Sequence, residues 1–270
     1  MTNILGVYAG HNASAALVID GSVVAAASEE RFNGHKNFIG YPREAIAYCL
    51  NISKIHISNL DIVSIPFLTG SPLKQDASDF SSSLFSTIAN IHKLQFALRQ
   101  RISYVTYSSK FFRHASDYLY SIAWMSAGRY AGSSFRQEVA RNLGISPSRV
   151  KSYDHHLSHA ASYFSSPFNH ERALVLILDG EGDNCCATVY TAVGLDLKQI
   201  ARSPRGTSIG QFFAAITIFL GMRHNEHEYK VMGLAPYAKD EDVERVLAKM
   251  RGIIYPDPAN PLIFRSRFNT

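Results

Sequence analysis

The stretch DHHLSHAASYF, from Asp154 to Phe164, holds three of the eleven histidines of this 270-residue chain. His155 and His159 are four apart, so a helix here stacks them on one face. That is the spacing by which one helix offers two imidazole nitrogens to a single metal ion. A polar helix start, with Asp154 as N-cap and the histidines hydrogen-bonded to neighbours, explains the same residues. Downstream, LILDGEGD puts Asp179 at the end of an apolar run. A carboxylate there points into a cleft and would complete a two-histidine, one-carboxylate shell, which suits iron(II) or another divalent ion with open positions. The small residues of YAGHNASAAL place His11 and Asn12 at the tip of a turn whose backbone N–H groups are free to meet a phosphate or carboxylate. Gly180 and Gly182 form the counterpart turn in the second half, and the two turns across a cleft would clamp a phosphate. Gly/Asp turns also serve simply to reverse strands. In HNEHEYKVMGLAPYA, His224 and His227 are three apart, as metal ligands or as parts of a polar loop. Lys230, ahead of a Met-Gly-Leu-Ala-Pro turn, is a candidate contact for a phosphate or nucleotide.

These residues need elements to hold them. ILGVY, SAALVID and SVVAAASEE read as three strands, the last two joined by the hairpin signal Asp20-Gly21. REAIAYCL reads as a short helix with Pro42 at its start, and DIVSIPF as a further strand. From about 71 to 144 the chain turns amphipathic and aromatic, and reads as a helical insertion. ALVLILDGEGD, CCATVYTAVG and DLKQIARS then restart the opening pattern of strand, tight loop, strand, turn, strand. Two related α/β lobes holding a ligand are implied, residues 1–170 and 171–270. Ser208 is placed to start a helix that runs from Gly210 to Gly221.

The bulk properties narrow the classes. A composition 46% hydrophobic and 18% charged is that of a chain with a core. A net charge of +5 suits anionic small molecules, and no Lys/Arg run marks a nucleic-acid arm. Three cysteines make no disulfide framework, and Cys185-Cys186 read as buried free thiols of a reducing cytoplasm. No apolar run approaches the roughly 20 residues that span a bilayer.

GVYAGHNASAALVIDG…EER, DHHLSHAASYFSSPF, LILDGEGD and SIGQFF…ITIFLG…EHEYKVMGLAPYA stand in the order seen in the NodU/CmcH family of O-carbamoyltransferases. The chain resembles that family throughout, outside the helical region 71–144. The resemblance implies an actin/Hsp70/sugar-kinase-like (ribonuclease H-like) α/β fold with duplicated lobes. It implies carbamoyl transfer from carbamoyl-adenylate, made from ATP and carbamoyl phosphate by a YrdC-like domain, to a hydroxyl of a small-molecule natural product or glycan. Carried over by residue, His155, His159 and Asp179 match the iron ligands, and His11 the histidine beside the transferred group. Lys36 matches a lysine that binds anionic ligand or stabilises developing charge, and His156 a second-layer or carbonyl-binding position.

Two features depart from the family pattern. Tyr229 and Ala238 stand where it has glycines. The resemblance further implies that the second lobe is incomplete, with exposed strand edges and apolar surface, and that a later aspartate ligand and the YrdC-like domain lie beyond residue 270. A separate YrdC-like chain as partner, a non-catalytic nucleotide- or partner-binding half-enzyme, and a sugar-kinase-like phosphotransferase are the alternatives.

Overall fold

The computed structural model describes residues 2–68, 132–133, 135–224 and 226–267. The chain forms two compact units, Met1–Asp154 and His155–Thr270. This division falls ahead of the 170/171 boundary expected from the repeat, because the helix beginning at His155 packs on strands of the second unit. The helical insertion expected over 71–144 lies outside the described residues except at its end, where residues 135–143 are helical.

In the first unit, β1 (Asn3–Tyr8), β2 (Ser14–Ile19) and β3 (Ser22–Ser28) form an antiparallel meander. Strands β4 (Ile62–Ile65) and β5 (Val150–Ser152) add in parallel on the other side of β1, giving the order β3-β2-β1-β4-β5. That is the sheet of the expected ribonuclease H-like lobe. The period-2 alternation of strands sorts the side chains: Leu5 and Val7, Ala15 and Leu17, Val63 and Ile65 fall on one buried face. Against them pack α2 (Arg43–Ile52), through Ala45, Ile46, Cys49 and Leu50, and α3 (135–143), through Phe135, Val139, Ala140 and Leu143. Asp20 and Gly21 both have positive φ, 47° and 82°, which is the two-residue hairpin geometry their types predict.

One local reading is corrected. The third strand ends at Ser28, and the chain turns into the short helix α1 (Glu30–Asn33) instead of extending through both glutamates. The reason is visible at Glu29, which is buried. Its carboxylate accepts the backbone N–H of Ala45 at 2.8 Å and of Glu44 at 3.2 Å. Helix α2 begins after Pro42, which has no side-chain acceptor, so its orphan amides are satisfied by a carboxylate from another element.

Tyr41 lies beside this entry. Its hydroxyl is buried and has no hydrogen-bond partner among the described residues. Burial pushes the phenol up to about 12, from an ordinary 10.0. The folded state therefore holds this proton more tightly than the unfolded state does. The contribution from keeping Tyr41 neutral is intact below pH 10 and is lost as pH rises from 10 toward 12. Tyr41→Phe is expected to flatten that alkaline limb, and to leave stability at pH 7 unchanged or raised by up to about 1 kcal/mol, since an unsatisfied buried hydroxyl is removed. Denaturation followed at pH 7 and pH 11 checks both parts.

In the second unit, β6 (Ala173–Gly182), β7 (Cys185–Val193) and β8 (Asp196–Pro204) form an antiparallel sheet that repeats the opening meander. Helix α4 (His155–Ala160) packs on β6 and β7, and α5 (Ile209–Phe219) on β6. Helices α6 (Glu228–Leu234) and α7 (Asp240–Met250) and the ribbon β9 (Ile254–Pro256) with β10 (Phe264–Ser266) follow. Helix α5 starts as expected: Ser208 Oγ accepts the N–H of Gln211 at 3.0 Å, the first half of a capping box. Central β7 is buried nearly along its length, with Cys185 and Cys186 as free thiols. Burial pushes the Cys186 thiol up. Among the described residues β6 pairs only with β7, and Leu174, Leu176 and Leu178 are each more than half exposed.

The glycine-rich acidic segment is also corrected. It is not the turn. Strand β6 continues through it to Gly182, with an irregular register between Leu178 and Gly182. The reversal falls on Asp183 and Asn184, whose φ angles are 47° and 61°, a left-handed pair that short polar side chains tolerate.

Candidate metal centre

The helix expected from DHHLSHAASYF forms, and its spacing has the expected consequence. The rings of His155 and His159 lie 4.6 Å apart, edge to face, with their Nε2 atoms 3.0 Å apart. Asp179 on β6 brings Oδ2 to 2.9 Å from His155 Nε2. One ligand atom from each of His155, His159 and Asp179 falls within 4.8 Å of the others, the one such group among the described residues. His155 is nearly covered, Asp179 is about one quarter exposed, and His159 is exposed. The group therefore opens to solvent on one side. Two imidazoles and a carboxylate converging this way are a fitting donor set for a divalent first-row ion such as iron(II), with positions left for water or substrate.

The electrostatics favour a ligating carboxylate. Burial alone would raise the Asp179 carboxyl. The hydrogen bond and charge of His155, the N–H of Gly180 and the charge of His159 outweigh burial and hold it below its usual range. Asp179 Oδ1 accepts the Gly180 N–H at 2.7 Å, which fixes the carboxylate plane. Two residues along, burial raises the Glu181 carboxyl against the opposing charge of Arg205, 3.0 Å away.

The other candidate residues lie outside this group of three. His156 is fully buried, with Nδ1 3.1 Å from Thr188 Oγ1 and Nε2 3.2 Å from the Cys185 carbonyl oxygen. A carbonyl only accepts, so Nε2 carries the hydrogen, and in the neutral ring Nδ1 accepts from Thr188. Both nitrogens are committed inside the unit, where His156 binds its helix to β7. The close approaches allowed at Gly180 and Gly182 are also to the protein itself. Ser208 Oγ donates to the Gly180 carbonyl at 2.7 Å, and a Cβ on Gly210 would stand 3.0 Å from Gly180 Cα. Lys230 is exposed on α6, its Nζ 5.9 Å from the ring centroid of neighbouring Tyr229. His227 Nδ1 accepts the N–H of Arg223, and His224 is exposed in the same loop.

In the first unit, His11 is exposed at the tip of the β1–β2 loop, beside Asn12, whose φ is 59°. His11 Nδ1 lies 3.2 Å from the Tyr8 hydroxyl. Tyr8 was not legible as a partner from sequence, although its i, i+3 spacing from His11 is a usable signal. Lys36 is almost fully exposed and pairs with Glu30 at 3.2 Å. The backbone N–H of Asn37 and the Lys36 ammonium hold the Glu30 carboxyl below its usual range. Among the described residues no helix is long and apolar enough to cross a membrane.

Comparison with known proteins gives these residues a context. The family described as "Carbamoyltransferase N-terminus" matches residues 3–259. An uncharacterised protein of Synechocystis sp., sll1178, is 31% identical over 92% of this chain and 36% of its own length. Nodulation protein NolNO of Sinorhizobium fredii is 29% identical over 95% of this chain and 33% of its own. The chain thus spans about a third of the length of these relatives. YeaZ from Pseudomonas aeruginosa, a solved structure, aligns over 74% of this chain and 65% of its own at 10% identity, with a TM-score of 0.35.

Proposed function

This chain belongs to the family of carbamoyltransferase N-termini, and from that premise we propose that it is the acceptor-side part of an O-carbamoyltransferase. Its substrates are carbamoyl-adenylate, derived from ATP and carbamoyl phosphate in a YrdC-like domain or partner chain, and a hydroxyl of a small molecule or glycan. The observation that carries the reading is the convergence of His155, His159 and Asp179. These residues would hold an iron(II) or other divalent ion, which when bound supplies Lewis-acid polarisation of a phosphate or carbonyl oxygen.

The remaining roles fall to the chain's own groups. The acceptor oxygen attacks the carbamoyl carbon, the bond from that carbon to the phosphate oxygen breaks, and AMP leaves with the electron pair. His11 receives the hydroxyl proton at Nε2. For that, Nδ1 must carry its hydrogen and donate it to the Tyr8 hydroxyl oxygen, and the 3.2 Å separation permits this. The exposed Lys36 ammonium is available to the phosphoryl anion. The reaction takes place in the cytoplasm, where ATP and free thiols such as Cys185 and Cys186 coexist.

Calorimetric titration of AMP into the full chain, with and without Fe2+, tests the reading. Binding of one equivalent that depends on the metal, and is abolished in His155→Ala, supports it. Equal AMP binding by the metal-free protein and by His155→Ala would point to a phosphotransferase-like site in its place.

A further inference from the structure

We propose that Asp183 is a positioning residue for the metal centre, which aims His155 from the β6–β7 turn. This rests on the metal reading of His155, His159 and Asp179. Asp183 Oδ2 accepts the backbone N–H of His155 at 2.8 Å. His155 is the first residue of α4, so its N–H has no partner within the helix. The contact fixes the backbone from which one of the two histidine ligands projects.

Two further contacts make the turn a rigid support. Gly182, just before Asp183, has the imidazole of His155 lying directly on its Cα: a Cβ built there would stand 2.0 Å from His155 Cδ2 and 2.4 Å from Cγ. Only glycine leaves room for the ring in the rotamer that presents Nε2 to Asp179. On the other side, Arg202 of β8 donates from Nη2 to the Asp183 carbonyl at 2.9 Å. Strand β6 thus supplies a ligand, Asp179, and three residues later the platform for a second, His155. Its turn then fastens the helix that carries the third, His159. Partners outside the ligand set that orient ligands in this way commonly change metal affinity by about 10- to 100-fold.

The test is titration of the full chain with Co2+ alone, read by the ligand-field absorption bands and by the dissociation constant. Asp183→Gly removes the carboxylate while keeping a residue at ease with φ near 47°. Its Co2+ affinity is expected to fall about 10-fold or more, with altered band positions. Asp183→Asn keeps an acceptor oxygen and a left-handed turn, and should stay within about 3-fold of the parent with its spectrum restored. Gly182→Ala should disturb the spectrum at least as much as Asp183→Gly. Parent-like affinity and bands in Asp183→Gly and Gly182→Ala would overturn the positioning role while leaving the metal centre standing. If the parent protein itself gives no bands that depend on His155 and His159, the metal reading fails, and this role fails with it. Melting curves identify any variant that has lost its fold; if Asp183→Gly has, Asp183→Ala takes its place, parent-like affinity and bands in the folded variant overturning the role and weakened affinity with altered bands supporting it.

Discussion

Asp179→Ala is expected to weaken binding of Fe2+ or Co2+ by about 100-fold or more, because removal even of groups that only orient ligands costs about 10- to 100-fold. Asp179 carries the one anionic donor of the group, and its carboxyl is held below its usual range, so near neutral pH it is a formed anion with no proton to displace. Asp179→Asn keeps the shape and an oxygen but loses the charge, and should recover only part of the affinity. His155→Ala and His159→Ala should fall as far as Asp179→Ala. His156→Ala is the internal contrast. It leaves all three donors in place and instead takes a hydrogen-bond partner from the Thr188 hydroxyl and the Cys185 carbonyl, so its loss should appear in thermal stability, by about 2 kcal/mol. Metal titration alongside melting curves separates the two classes. Retention of tight, stoichiometric binding in Asp179→Ala would remove the site.

Glu29→Ala should lower the stability of the first unit by about 2 kcal/mol, since the buried Ala45 amide would lose its acceptor at about 1–3 kcal/mol while the partly covered Glu44 amide can turn to water. The residue is almost fully buried, and its carboxylate serves Glu44 and Ala45 together. Glu29→Gln retains one acceptor oxygen but turns an N–H₂ toward backbone donors, so about half the loss is expected. Hydrogen exchange of the amides at the start of α2 reports this directly, because protection there depends on the Glu29 contact. Unchanged protection in Glu29→Ala would mean that water replaces the carboxylate without cost. The same glutamate lies in the EER segment shared with the carbamoyltransferase pattern, and its role in this chain is to join a strand end to a helix start.

The local elements were legible because each rests on short-range rules. Alternation marked β1, β2 and β4, Asp20-Gly21 marked a hairpin, Ser208 marked a helix start, and the i, i+4 spacing put His155 and His159 on one face. Asp179 as third donor followed from the order of motifs and from its place on a strand. The repeat of the opening meander in β6, β7 and β8 was legible for the same reason: it is a repeat of local signals.

What remained hidden depended on contacts between residues distant in sequence. The i, i+4 spacing sets His155 and His159 apart from His156, but nothing in DHHLSHA shows that both His156 nitrogens are spent on β7 or that His155 Nε2 is aimed at Asp179. Adjacent residues on a helix differ only in direction, and direction acquires meaning only when a sheet packs on one side. The segment DGEGD has the composition of a turn, yet β6 runs through it to Gly182 with an irregular register, the Ser208 hydroxyl serves the carbonyls of Asp179 and Gly180, and the reversal falls on Asp183 and Asn184. Glu29 reads as a polar strand end until a helix capped by Pro42 arrives needing an acceptor. Types and spacings along the chain therefore settled which donors this protein has. Packing settled which of them are turned to partners inside the fold, since a buried polar group must spend its hydrogen bonds there.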